Sequence, residues 1–337
     1  AVSPTNHNEI HIGGINCWKS TNYGSTWTIT SWWHESTSYE YTHADIHALE
    51  FSPLVTNYLY CGSDGGVFRT TNGGANWYDR SQGLVITQFY RIGITPQDWN
   101  QVVGGTQDNG GNRLDNGVFT HDVGADGFSA LIDYTNQNII YQSTQGKLYR
   151  STNNGSTFST ITPPAIAGHT WDVAWTMHPT DPTTMYVGQM EIYKTTNSGS
   201  NWTTLNTANF NHYYNEIAIA PTYTSKLYAI SPDYIFLSTN SGSSWSDIRN
   251  GLPTFPDYSY IAVDPTYSGY VYMTFAGYED GRKVYKSTNS GSSWTNWSGT
   301  LPNVPVNCIV CDNTSKNGVY IGTDVGVFYR DNTMSDW

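Results

Sequence analysis

The chain has 337 residues, only 12% of them charged. Its 15 Lys and Arg stand against 27 Asp and Glu, and a net charge of −12 leaves no cationic stripe for nucleic-acid phosphates or an anionic membrane surface. No apolar run approaches the ~18 residues that cross a bilayer, which argues against membrane insertion. Gly, Ser, Thr, Asn and 26 Tyr carry the polarity instead, with 13 Trp, a composition that points to an exported all-β protein working outside the cell or on its surface.

Short apolar runs rich in β-branched and aromatic residues, bounded by Gly, Pro, Asn and Ser, follow one another from the start of the chain, and no stretch keeps a helical apolar period. The first reads Ser20-Thr-Asn22-Tyr-Gly24-Ser-Thr-Trp27 at its end, and this octet returns from Thr70 to Trp77 with Asn72 and Gly74. It returns again with Asn153, Gly155 and Phe158, with Asn197, Gly199 and Trp202, with Asn240, Gly242 and Trp245, and with Asn289, Gly291 and Trp294. Arg330 to Trp337 is a degenerate copy that keeps Asn332 and Trp337 and has Met334 in place of Gly. The interval between Thr70 and Ser151 is long enough for two units, and Gly117-Val-Phe119-Thr120 is the remnant of the one whose octet is lost.

Within each unit four strands, A to D, recur. In the seventh, Tyr260 to Pro265 is A, Tyr270 to Phe275 is B, Lys283 to Ser287 is C, and Trp294 to Trp297 opens D. One four-stranded antiparallel sheet per ~45 residues is the signature of a β-propeller blade. The count is eight repeat units in a single domain spanning 1–337, the first clipped at its start and the eighth stopping where D should begin. A seven-bladed ring or a piece of a larger array remain as alternatives. The chain starts at Ala1 without Met or a signal-like segment, and is expected to be a segment of a longer exported protein.

The octet sits at the hairpin between C and D. Its Asn can bond the turn's own backbone, its Gly supplies a positive φ, and its Trp is expected to anchor against the blade edge. These octets resemble the Asp box of the BNR-repeat propellers, a group that includes sialidases, xyloglucanase-like glycoside hydrolases and the ligand-binding domains of sortilin-type receptors. Asn stands for the family's Asp in every full copy, so the turn chemistry is kept without the charge. The stretches around His43-Ala-Asp45-Ile-His47, Gly62-Ser-Asp64-Gly-Gly66 and Gln107-Asp108-Asn109-Gly110 are similar to segments of large exported BNR-type proteins of Bacteroidota-like bacteria.

Antiparallel order sorts the loops. D-to-A and B-to-C connections share one end of the sheets, A-to-B loops and the octets the other. The first end collects His43, Asp45, His47, Asp64, Gln107, Asp108, Asn109, Asp126 and Trp171, which are the candidate binding residues. Asp172, Glu191, His212, Tyr213, Tyr214, Tyr260 and Arg91 belong to that end too. Carboxylates, amides and rings suit a glycan or a surface protein. His43, Asp45 and His47, read as alternating along a strand, fit either a bound cation or a hydrogen-bonded polar plug, and no metal or cofactor is assigned. Of the four Cys, buried free thiols are expected, with a Cys17–Cys61 pairing as the alternative.

Three function classes compete. A sialidase needs converging arginines, and only Arg91, Arg113 and Arg282 reach the right end, without that family's signature. A xyloglucanase-like hydrolase needs two carboxylates across a cleft; Asp64 resembles its catalytic Asp segment, but such enzymes place the cleft between two propellers. The reading is therefore a non-catalytic extracellular or cell-surface binding or scaffold module, with hydrolysis as the alternative.

Overall fold

The computed structural model describes residues 1–163, 171–205, 213–254, 257–314 and 316–337. These contain eight antiparallel sheets, six of four strands and two of three, and no helix. The seventh sheet is representative, with A at Tyr258–Val263, B at Val271–Phe275, C at Val284–Ser287 and D reduced to Thr295–Asn296. The eighth has A to C, Val306–Cys311, Val319–Thr323 and Gly326–Arg330. In the first sheet only a bridge from Val2 to Ile10 stands for strand A. The unit without an octet forms a full sheet, its C and D strands Gly110–Asp115 and Val118–Val123 joined through Asn116 and Gly117, both at positive φ as a two-residue hairpin requires.

The chain divides into two compact units: Ala1–Gln88 with Thr106–Asn109, and Phe89–Gly105 with Gly110–Trp337. Within each, the core lies between successive sheets. Cys17 of the first sheet packs with Leu59, Cys61 and Phe68 of the second, and Tyr228 and Ile230 of the sixth pack with Ile261 and Met273 of the seventh. Alternating burial of both faces explains why the B strands are so apolar, as in Val271–Phe275, where every residue is buried.

The octets behave as turns, with three additions to the sequence reading. First, the leading Ser or Thr organises the turn as much as the Asn does. Thr195 Oγ1 accepts from the N–H groups of Asn197 (3.2 Å) and Gly199 (3.0 Å) while donating to Asn197 Oδ1, which also accepts from Asn201 N–H at 2.8 Å. Second, two consecutive residues are left-handed, Ser198 at φ 57° and Gly199 at φ 83°, so the fourth position carries strain as well as the fifth. Third, whereas Trp27 stays 37% exposed, in three of the full octets the Trp anchors beyond its own sheet. Its indole N–H donates to a carbonyl at the end of strand D of the preceding sheet: Trp77 to Thr30 (2.9 Å), Trp202 to Ile161 (2.6 Å), Trp294 to Ile248 (2.9 Å). These three octets are thus staples between neighbouring sheets. Phe158 and Trp245 fill the same place by packing alone.

In the degenerate copy Asp331, not Asn332, holds the turn, accepting from Thr333 N–H (2.8 Å) and its hydroxyl (2.6 Å). Trp337 nevertheless donates to Trp297 O at 2.9 Å, preserving the staple.

The octet's fourth N–H donates to the A-to-B loop or the start of strand B of its own sheet, as in Ser241 to Ser225 O (2.9 Å), Ser290 to Gly269 O (2.9 Å) and Ser198 to Thr183 O (2.9 Å). Octets and A-to-B loops therefore share an end, as antiparallel strand order requires. At the other end D-to-A and B-to-C segments meet, as Asp126 does with Gln145 at 2.8 Å.

A buried histidine sets a pH limit. His11 is fully enclosed, with Nε2 2.9 Å from Glu9, which Lys19 also approaches at 3.0 Å. Burial pushes His11 below its usual 6.5, Glu9 opposes this, and Lys19 and the N-terminus reinforce it. A depressed histidine contributes stability that is complete above the unfolded value and lost as pH falls through the folded one. The melting temperature should therefore drop on acidification below about pH 6.5, less steeply in His11→Gln; equal slopes would contradict this origin.

Candidate functional site

The larger unit holds a cavity of about 1090 Å³. It is lined by the beginnings of successive A strands: Phe89, Tyr90 and Arg91 of Phe89–Thr95, Trp171 and Asp172 ahead of Ala174–His178, Tyr213 and Glu216 at Glu216–Ile219, Tyr260, and Cys308. Because A strands begin at the D-to-A end, the cavity lies at the end the sequence singles out. Trp171, Asp172, Tyr213, Tyr214, Tyr260 and Arg91 all line it.

Its floor is organised by one guanidinium. Arg91 donates from Nε to Asp172 (2.9 Å), from Nη1 to Glu216 (2.7 Å) and to the Tyr260 hydroxyl (2.7 Å), and from Nη2 to the Asn215 carbonyl (2.9 Å). Four of the five donors of its fixed fork are thus engaged, linking the third sheet to segments of the fifth, sixth and seventh. Burial pushes the Glu216 carboxyl above its ordinary range, with Arg91 opposing and Asp172 reinforcing, while the two carboxylates and Tyr260 hold Arg91 firmly charged against its own burial. Asp172 also accepts from Val173 N–H at 2.7 Å.

Above this floor the rings stay open. Trp171 and Tyr213 are 57% and 51% exposed. Trp171 is set edge-on against Phe128 at 5.4 Å, and Phe128 stacks on Tyr90 at 4.9 Å. Glu216, Tyr90 and Cys308 were not singled out from sequence: nothing in their own segments distinguishes them, and no periodicity places them beside Arg91. Cys308 is exposed, contrary to the expected buried thiol; Cys311 is half-buried, and Cys17 and Cys61 are buried free thiols with sulfurs 4.0 Å apart.

The remaining candidates lie in the smaller unit, apart from Asp126, which is buried against Gln145 in the larger one. His43, Asp45 and His47 do not alternate along a strand, because Asp45 is left-handed (φ 58°) and strand A begins only at Ile46 and carries a bulge before Ala48. The His43 ring instead faces the carbonyls of Ala44 (3.2 Å) and Asp108 (3.0 Å), over Gly65, where a side chain would run into it. His47 bonds Asp64. Asn109 Nδ2 donates to Asp64 O and Gln107 O, both 3.1 Å. Among the described residues no three His, Cys, Asp or Glu are grouped as metal ligands. His212 lies outside the described residues.

No family model and no curated protein matches the chain. Solved structures do. An ancestral GH74 enzyme aligns with a TM-score of 0.60 at 20% identity, over 85% of this chain and 44% of that one. YCF48 from Cyanidioschyzon merolae aligns with a TM-score of 0.55 at 12% identity, over 86% and 95%. YCF48 bound to D1 peptide gives 0.54 at 12%, over 85% and 93%. The likeness is one of fold, and the fold is that of a β-propeller. The chain spans less than half the length of the GH74 enzyme.

Proposed function

We propose that this chain is a non-catalytic, extracellular or cell-surface β-propeller module of the Asp-box type, eight repeat units long and joined to other domains. It holds a glycan or surface protein at the cavity of its larger unit. The observation that carries this reading is the engagement of both cavity carboxylates, Asp172 and Glu216, by the single guanidinium of Arg91. Glycoside hydrolysis needs one carboxyl poised to give up a proton and another held as nucleophile or base; here one guanidinium occupies both carboxyls at once. Asp64, the alternative catalytic residue, is spoken for by His47. The open rings of Trp171 and Tyr213 favour a glycan among ligands, and the peptide bound by YCF48 favours a protein. Neither role requires a cofactor, and the acidic surface disfavours nucleic acid.

Trp171 reports the test. Neutral oligosaccharides and short peptides are titrated while indole emission is followed, and a ligand of the cavity should change the emission of the wild type but not of Trp171→Phe. Identical changes in both proteins, or none with any ligand, would contradict cavity binding.

A further inference from the structure

We propose that the cavity selects a cation: the ammonium or guanidinium group of a basic side chain on a partner protein. This rests on the reading that the cavity is the binding site, and adds the chemical class of its occupant.

Of the titratable acids and bases that line the cavity, Asp172 and Glu216 are acidic and only Arg91 is basic. Several donors there are committed inside the protein. Beyond Arg91, the Ser129 hydroxyl donates to Val173 O (3.0 Å), the Ser259 hydroxyl to Val306 O (2.6 Å), and Asn307 Nδ2 to Asp324 (2.7 Å). A lysine ammonium brings three donors and needs only acceptors. The cavity offers it an acceptor and π faces: the Asp172 side chain, 31% exposed, and the rings of Trp171 and Tyr213.

The floor shows that these surroundings hold a cation. Arg91 Cζ lies 5.3 Å from the Tyr260 ring centre between two carboxylates. A second cation entering above it meets the same kinds of partner, on rings that Phe128 already orders, so little side-chain freedom is lost. The net charge of −12 draws cations to the protein before contact.

Cys308 supplies the readout, since it is exposed on the cavity wall while Cys17 and Cys61 are buried. The full chain is alkylated with iodoacetamide at low salt, and modification of the Cys308 peptide is followed by mass spectrometry. Three probes are compared: a hexapeptide alternating lysine and glycine, its glutamate counterpart, and cellotetraose. The lysine peptide should slow Cys308 alkylation and the other two should not, and the protection should vanish at ~1 M salt. Trp171→Ala should weaken the lysine peptide about tenfold; the ring is exposed, so folding is expected to survive. Protection by cellotetraose or the glutamate peptide but not by lysine would overturn the cation while leaving cavity binding intact. Protection by none of the three, together with unchanged Trp171 emission across the wider titration, would overturn both.

Discussion

Replacing Arg91 with methionine is expected to destabilise the protein by about 3–5 kcal/mol, because it leaves the largely buried Glu216 carboxyl beside Asp172 with no cation. Glu216 is 88% shielded and shares its guanidinium with Asp172, and among the described residues no other ion pair is made by either. The effect should depend on pH in a definite direction. The folded pKa of Glu216 is raised above its unfolded value of about 4.5, and removing Arg91 removes the group that opposes that rise. Such a carboxyl contributes stability that is complete below the unfolded pKa and lost as pH rises through the folded one. Urea unfolding should therefore show Arg91→Met nearer the wild type at pH 4 than at pH 7, and the double variant Arg91→Met/Glu216→Gln should recover part of the loss. A penalty that is small and flat with pH would mean that the guanidinium network is not what organises the cavity floor.

Gly199→Val is expected to cost about 2–4 kcal/mol, from a left-handed backbone and overpacking together. Gly199 has φ 83°, and a Cβ there would stand 2.6 Å from Ile161 Cδ1, in the seam that Trp202 staples. Asn197→Ala, which removes an acceptor serving Asn201 N–H and the Thr195 hydroxyl, should cost only about 1 kcal/mol. Comparable shifts in melting temperature for the two variants would contradict the division of roles inside the octet.

These predictions mark how far the sequence could be read. The octets were legible because they are local: eight consecutive residues contain every group that closes the turn, and the repeat displays the pattern several times. The partner of the octet's Trp was not legible, since Ile161 and Trp202 belong to different sheets and only the packing of one on the next reveals the bond. The face of the candidate site followed from strand order alone, which is why Trp171, Asp172 and Arg91 were placed at the correct end. The cavity floor did not follow. Arg91, Asp172, Glu216 and Tyr260 come from four separate sheets, and nothing near Glu216 in the chain marks it as an ion-pair partner. The error at His43, Asp45 and His47 has a local cause, a left-handed Asp45 that ends the assumed alternation, and Asp is among the residues that tolerate that conformation without announcing it.

Binding without turnover is tested most directly by incubating the purified protein with xyloglucan and other β-glucans and measuring the release of reducing ends. With Asp172 and Glu216 held by Arg91 and Asp64 held by His47, no release above buffer is expected from the wild type or from Asp64→Asn. Release by the wild type that Asp64→Asn abolishes would contradict the binding-module account and establish a glycoside hydrolase in its place.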